Sequence, residues 1–260
     1  PQGARGNPHA HAGHPRRRKG QGAARPIVKT EARKALAFFA GVAVVGLVGV
    51  GLAFRLLKIA AGPEAEIVAT LKQTERAALR LEVPGADEPL VSSRHFYERI
   101  VVDVDPDGAH ARATATLDFD GRLGATEVSS LGLERIPWRR EGAEWIVPQG
   151  YAPVLVRVVG ALERRRQALQ GGDAAALAGM SDAPRESVSR DREIQRVLAV
   201  SGREYRVVAW YIRAERGEVL VREEFRLLGH THDQPVDETG TRRLVLHERD
   251  GEFLFSAGLM

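Results

Sequence analysis

The 260-residue chain contains no cysteine. Disulfide staples, thiol nucleophiles and Cys-ligated metal sites are therefore excluded, and any fold must rest on its apolar core. The motifs that announce common chemistries are missing as well: there is no Ser-His-Asp elbow, no phosphate-cradling glycine loop and no His-Glu-x-x-His pair. Acidic residues are nearly absent from the first 34 positions, where Glu31 faces nine Lys or Arg, and large apolar side chains are scarce there too. The next stretch, "ALAFFAGVAVVGLVGVGLAF" from Ala35 to Phe54, lacks charged, amide and hydroxyl side chains altogether.

Twenty apolar residues in a helix rise about 30 Å, which matches the hydrocarbon core of a bilayer. Apolar side chains surround this helix on all sides, as lipid requires and water does not. A secretory signal has an apolar region of roughly 7–15 residues near the chain start, followed by a small-residue cleavage site. Here 34 residues precede the run. "IAAG" at Ile59 to Gly62 and "RRRK" at Arg16 to Lys19 imitate cleavage and twin-arginine signals, but the spacing between them does not fit. The expectation is an uncleaved transmembrane helix over 35–58.

Charge fixes its orientation. Only Arg55 and Lys58 follow the run closely, before Glu64 and Glu66. The positive-inside bias places the N-terminus in the cytoplasm and the region after the helix in the periplasm, so the expected location is the inner membrane. Residues 1–58 hold eleven basic groups and one acidic group, +10; the remainder holds 27 and 33, −6; together these make the chain's +4. The pI near 9.7 thus belongs to the tail, and no nucleic-acid partner is expected of the exported region.

Residues 1–34 read as a disordered basic cytoplasmic tail. Arg16, Arg17, Arg18, Lys19, Arg33 and Lys34 are candidates for contact with anionic headgroups of the bilayer, each worth about 1 kcal/mol. A docking or nucleic-acid-binding tail is the alternative, and His9, His11 and His14 offer at most loose metal chelation. Ala37 and Gly41, and Gly49 and Ala53, have small-x-x-x-small spacing, so a homo-oligomeric anchor is a candidate. No charge sits mid-bilayer to suggest an ion path.

Beyond the anchor, Pro63 opens an amphipathic helix with Ile67, Leu71, Ala78 and Leu81 on one face. "RIVVDVDPDGAHARATATLDFDG" then alternates: Ala111, Ala113, Ala115, Leu117 and Phe119 point one way, Arg112, Thr114, Thr116 and Asp118 the other. "LERIPWRREGAEWIVPQ" reads as a hairpin turning at Glu141-Gly142. Within residues 151–260, a long helix stops at Gly171-Gly172, Asp173 caps a short one, and "RDREIQRVLAV" forms a third. Four strands follow: "YRVVAWYIRA", "EVLVREEFRLL", "RRLVLHER" and "EFLFSA". Ile136 to Gly142 parallels Val245 to Gly251, a weak internal duplication.

"ALQGGDAAALAGMSD", with the third helix and the meander ending "LHERDGEFLFSAG", resembles the nuclear-transport-factor-2-like superfamily, a cone of helices packed into a curved sheet. The resemblance is clearest over 151–260; residues 63–150 look like a divergent copy. It implies an α+β fold class: a single transmembrane helix followed by one or two helix-on-curved-antiparallel-sheet, cone-like units. The topology is similar to the periplasmic inner-membrane scaffold subunits of bacterial type IV secretion systems, by architecture alone. The function expected is a scaffold or protein-interaction module in an envelope or secretion assembly. The alternative is a small-ligand-binding or dehydratase/isomerase-like enzyme using the cone's cavity.

Side chains able to do acid-base work are His95, His110, His247, Glu223, Glu224 and Asp118. Alternation sets His247 among Arg243 and Arg249 on a polar strand face, so no catalytic residue is nominated and no cofactor is expected. His230, His232 and Asp233 have metal-ligand chemistry, yet "GHTHDQPVDETG" reads first as a strand connection. Arg164-Arg165-Arg166 reads as a solvated helix face. Trp210 and Tyr211 lie on opposite faces of one strand, one for the core and one for an interface.

Overall fold

A computed structural model describes residues 62–182, 184, 191–215, 217–232 and 234–256, all within one compact unit, Lys58–Met260. The tail and the apolar run, with Arg16, Arg17, Arg18, Lys19, Arg33, Lys34, Ala37, Gly41, Gly49 and Ala53, lie outside the described residues. No helix among the described residues is long and apolar enough to cross a membrane.

The alternation is realised in β3 (His110–Leu123), where Ala111 to Phe119 are buried at every second position. It pairs antiparallel with β2 (Leu90–Val104) on one side and β4 (Thr126–Glu141) on the other, and β5 (Glu144–Ile146) turns back along the end of β4. The second meander is β6 (Ser201–Glu215), β7 (Glu218–Thr231), β8 (Gln234–Arg249) and β9 (Glu252–Phe255).

Sequence reading expects one or two cone-like units, and the strands of both meanders form a single sheet. Glu127–Gly132 of β4 run parallel to Ala209–Ala214 of β6 and join the meanders, in the order β1-β2-β3-β4-β6-β7-β8-β9, with β1 (Arg80–Leu81) at the edge. Gly132 is what lets them meet: a Cβ there would lie 2.9 Å from the Ala214 Cβ, closer than carbon atoms tolerate.

Helix α1 (Gly62–Thr74) is shorter than its apolar spacing suggests. Ile67 and Leu71 are buried, but the chain leaves the helix before Ala78 and Leu81 to form β1 (Arg80–Leu81), which pairs with Val91 and Leu90. Pairing at the sheet edge and burial of Val83 outweigh one more exposed helical turn. The long helix α2 (Val154–Gly171) packs against β4, β6 and β9, and so roofs both halves. It ends at Gly172, φ +75°, in the left-handed conformation that glycine adopts without strain. Asp173 caps α3 (Ala174–Gly179) by accepting from the Ala176 N–H, and Asp191 caps α4 (Arg192–Leu198). The Arg203 guanidinium donates to the Leu169, Leu198 and Val200 carbonyls, where it complements the negative ends of α2 and α4.

The duplicated motifs both close hairpins, but out of step. Ile136 and Trp138 face the core in the first, Leu244 and Leu246 in the second, so matched positions point to opposite faces.

Candidate functional site

The helical period separates the arginine run. Residues one apart on a helix point about 100° apart, so Arg164 meets solvent, Arg166 is half-buried and Arg165 is 1% exposed. The reading of this run as one solvated face is thereby corrected for Arg165. Its Nη1 lies 3.1 Å from a carboxylate oxygen of Glu223, itself fully buried on the inner face of β7. Glu223 also accepts from the Tyr205 hydroxyl at 2.6 Å and from the Trp210 indole N–H at 3.0 Å. Arg165 stacks over Phe255 and Arg242 over Phe225.

Burial alone would raise the Glu223 carboxyl, but Arg165, the two neutral donors and Arg242 outweigh it, and the net shift is downward. Tyr205 moves up, through burial and the neighbouring carboxylate. A charged Glu223 is thus held in the core by Arg165, a neutral Tyr205 and Trp210. Nε and Nη2 of Arg165 and Nη1 of Arg242 nonetheless have no described hydrogen-bond partner. Arg165 pairs with Glu223, whereas Arg242 pairs with Glu193 at 3.5 Å and reaches Glu223 only through its charge. From sequence, nothing distinguished Glu223 from Glu224, since only the strand's register decides which faces in.

A second buried carboxylate does mechanical work. Glu134, on β4, accepts from the Val154 and Leu155 N–H groups at 2.8 and 2.9 Å and from the Tyr151 hydroxyl at 3.3 Å. It supplies the N-terminal acceptor that Pro153 cannot, and so seats α2 on the sheet. Burial raises this carboxyl, against the pull of the two backbone N–H groups.

Of the histidines, His95 is buried on β2, its Nδ1 3.2 Å from the Ser92 hydroxyl and its Nε2 without a described partner. Burial lowers its pKa, opposed by the charge of Glu75. Glu75 accepts from Lys72 at 2.8 Å and from the Tyr97 N–H at 2.7 Å, which latches the end of α1 to β2. Tyr97 is pushed up to about 12 by burial and the neighbouring carboxylates. His247 is half-buried on β8.

His230 is exposed on β7 opposite Pro235, and His232 is exposed at the hairpin tip; Asp233 lies outside the described residues. Strands β7 and β8 run further than a loop reading of Gly229 to Gly240 allowed, because the pairing extends to Thr231 and Gln234. Asp105, Asp107 and His110, at the β2–β3 turn, bring their ligand-type atoms within 4.8 Å of one another, all exposed. Sequence reading names His110 only as an acid-base candidate, although Asp-x-Asp-x-x-His carried the metal-type signal.

Among the described residues, no helix lies on the sheet's outer face. One row across the strands runs Phe96, Asp118, Leu131, Arg213, Leu220, Val245, and the next runs Arg94, Asp120, Ser129, Tyr211, Arg222, Arg243. Phe96, Leu131, Tyr211 and Leu220 are exposed, Leu220 to 49%, and Arg222 stacks on the Tyr211 ring at 4.1 Å. Of the two candidate interface aromatics, Trp210 is in the core and Tyr211 is on this face. A cleft of about 610 Å³ opens where β6 outruns β4, lined by Asp87, Glu88, Thr126, Glu163, Arg166 and Val208 among others.

No known protein family and no curated protein matches this sequence. Among solved structures, the chain is similar to a candidate ketosteroid isomerase of Shewanella frigidimarina at 14% identity. That match covers 37% of this chain and 88% of that one, with TM-score 0.33. A candidate dehydratase of the NTF2-like family from Streptomyces avermitilis is 10% identical over 41% and 97%, TM-score 0.32. A candidate polyketide cyclase of Bacillus cereus is 14% identical over 39% and 72%, TM-score 0.29.

Proposed function

We propose that this chain is a bitopic, N-in inner-membrane protein whose exported α+β region is a scaffold or protein-interaction module of an envelope or secretion assembly. The observation that carries the reading is the uncovered outer face, where Phe96, Leu131, Tyr211 and Leu220 stand exposed among charges across one continuous sheet. Exposed aromatic and aliphatic side chains rimmed by charge mark protein-interaction surfaces. The apolar run over 35–54 and the basic tail supply the anchor and its orientation, and its small-residue spacing supports self-association of the helix. Carbonate washing of membranes, followed by crosslinking of the intact chain, tests both parts. Retention in the membrane with reproducible crosslinks to envelope proteins is expected; release as a soluble product beginning near Ala60 would overturn the anchor.

A second reading rests on the interior cluster. Unpartnered donors on Arg165 and Arg242 beside Glu223 and Tyr205 suit a small carboxylate ligand, as in a small-ligand-binding or dehydratase/isomerase-like domain. Benzoate that raises the melting temperature in a concentration-dependent way, with the effect lost in Arg242→Met, would favour it. No shift at millimolar benzoate would remove it.

A further inference from the structure

Strand β6 outruns its parallel partner. The ladder with β4 begins at Ala209, whereas β6 begins at Ser201, and among the described residues no strand lies beside its first half on that side. Two side chains stand in for one. The Gln170 amide donates to the Arg203 carbonyl at 2.8 Å and accepts from the Tyr205 N–H at 2.6 Å, the pair of bonds that a neighbouring strand would make. Two residues further on, the Thr126 hydroxyl donates to the Val207 carbonyl at 3.0 Å. An open strand edge is a template for pairing with another chain, and here it is closed by single side chains that an incoming backbone can displace.

The cleft over this edge has a charge bias. Asp87, Glu88, Glu163 and Glu204 line it against Arg166 and Arg206. Glu163 is held by Arg166 at 2.6 and 2.7 Å, and Glu204 pairs with Arg206. Asp87 and Glu88 are exposed and make no ion pair within 4 Å with a described residue, although the charge of Asp87 acts on Arg166; four acidic groups against two basic ones leave the edge net acidic. Val208, half exposed, adds an apolar contact at the mouth.

We propose that this edge is a docking groove for an extended segment of a partner protein rich in Lys and Arg, which adds to β6 as a strand by displacing the Gln170 amide. The inference rests on the interaction-module reading and names its seat and the chemistry of its partner. Exchange of the two Gln170 bonds for two peptide bonds is nearly even; further main-chain bonds and the attraction of Asp87 and Glu88 supply the gain.

The full chain in detergent, titrated with a fluorescent, end-blocked (Lys-Val)5 peptide at low salt, tests it. (Glu-Val)5 serves as charge control, and hydrogen exchange reports where the peptide lies. Saturable binding of the basic peptide, slowed exchange over 203–208, and at least about tenfold weaker binding in Asp87→Lys/Glu88→Lys are expected. Gln170→Ala, which removes the competing amide, should bind several-fold tighter. Equal binding of both peptides, protection elsewhere on the sheet, or indifference to the charge reversal would overturn the groove. Envelope crosslinks that persist undiminished in Asp87→Lys/Glu88→Lys would also overturn it while leaving the interaction-module reading intact. Absence of crosslinks from the unmodified chain would sink that reading even where the purified chain binds the peptide.

Discussion

Residues 62–146 line their side of the sheet with Ala111, Ala113 and Ala115 and cover it with a single 13-residue helix and the shared roof of α2. Residues 154–255 instead bury Trp210, Arg165, Tyr205, Phe225 and Phe255 beneath the three described helices, with Glu223 among them. The first half mixes those alanines with Phe119, Trp138 and Trp145 in a core whose buried contacts are mainly apolar, under a short helix latched at Glu75. The second half carries a buried ion pair, Arg165 with Glu223, at the heart of its core. The difference teaches that one sheet can carry two cores with different sensitivities: packing and pH in the first, charge pairing in the second.

The most damaging way to break that contrast is Glu223→Leu. It strands Arg165 without its carboxylate in a dry interior and should cost about 3–5 kcal/mol in urea unfolding followed by circular dichroism. Pairing it with Arg165→Met should recover most of the loss, because similar volume without charge is tolerated there. A neutral single substitution would show that the cluster does not close this core.

Next in size is Glu134→Ala, which removes the acceptor for two backbone N–H groups of α2 and for Tyr151. A loss of about 1.5–3 kcal/mol is expected, with less for Glu134→Gln, whose amide oxygen can still accept. Because α2 roofs both halves, the loss should appear in a single cooperative transition. Two separate transitions would instead show that the halves melt independently.

The pH response sharpens the contrast at smaller amplitude. His95 is neutral when buried and its folded pKa lies below the ordinary 6.5, so the unfolded chain takes up the proton first. Stability should therefore be full above pH 6.5 and fall as pH drops below it, towards the folded value. The groups that face His95 are the Glu75 carboxylate, the Tyr97 ring, the Ser92 hydroxyl and the Thr74 backbone; Glu75 is itself lowered from 4.5 and adds its own loss only below that pH. Melting temperatures from pH 7.5 to 5.0 should lose their slope in His95→Gln. An unchanged slope would assign it to another group.

Tyr211→Ala should change least, within about 0.5 kcal/mol, since the side chain is on the uncovered face. Its effect belongs in the crosslinking pattern, which should weaken while the melting curve does not.

Much of the local structure was legible. The alternation of β3, the turns at Gly142 and Gly251, and the Asp173 cap follow from side-chain period and from residues that favour special backbone angles. Trp210 and Tyr211 were correctly divided between core and surface, though not in which direction. Other features carry no local signature. Gln170 imitating a strand, Glu134 seating a helix twenty residues away, and Arg165 leaving its neighbours for the core depend on partners distant in sequence.

By itself the sequence determined the periods of its elements, their order and the apolar faces they must bury, because these depend on neighbours one to four residues apart. Tertiary structure alone decided that two meanders share one sheet through the close contact of Gly132 with Ala214. It also decided which of two adjacent glutamates lies in the core and which strand edge opens on the cleft. Register between strands is set by packing over the whole sheet, and a one-residue slip would exchange every inward side chain for an outward one.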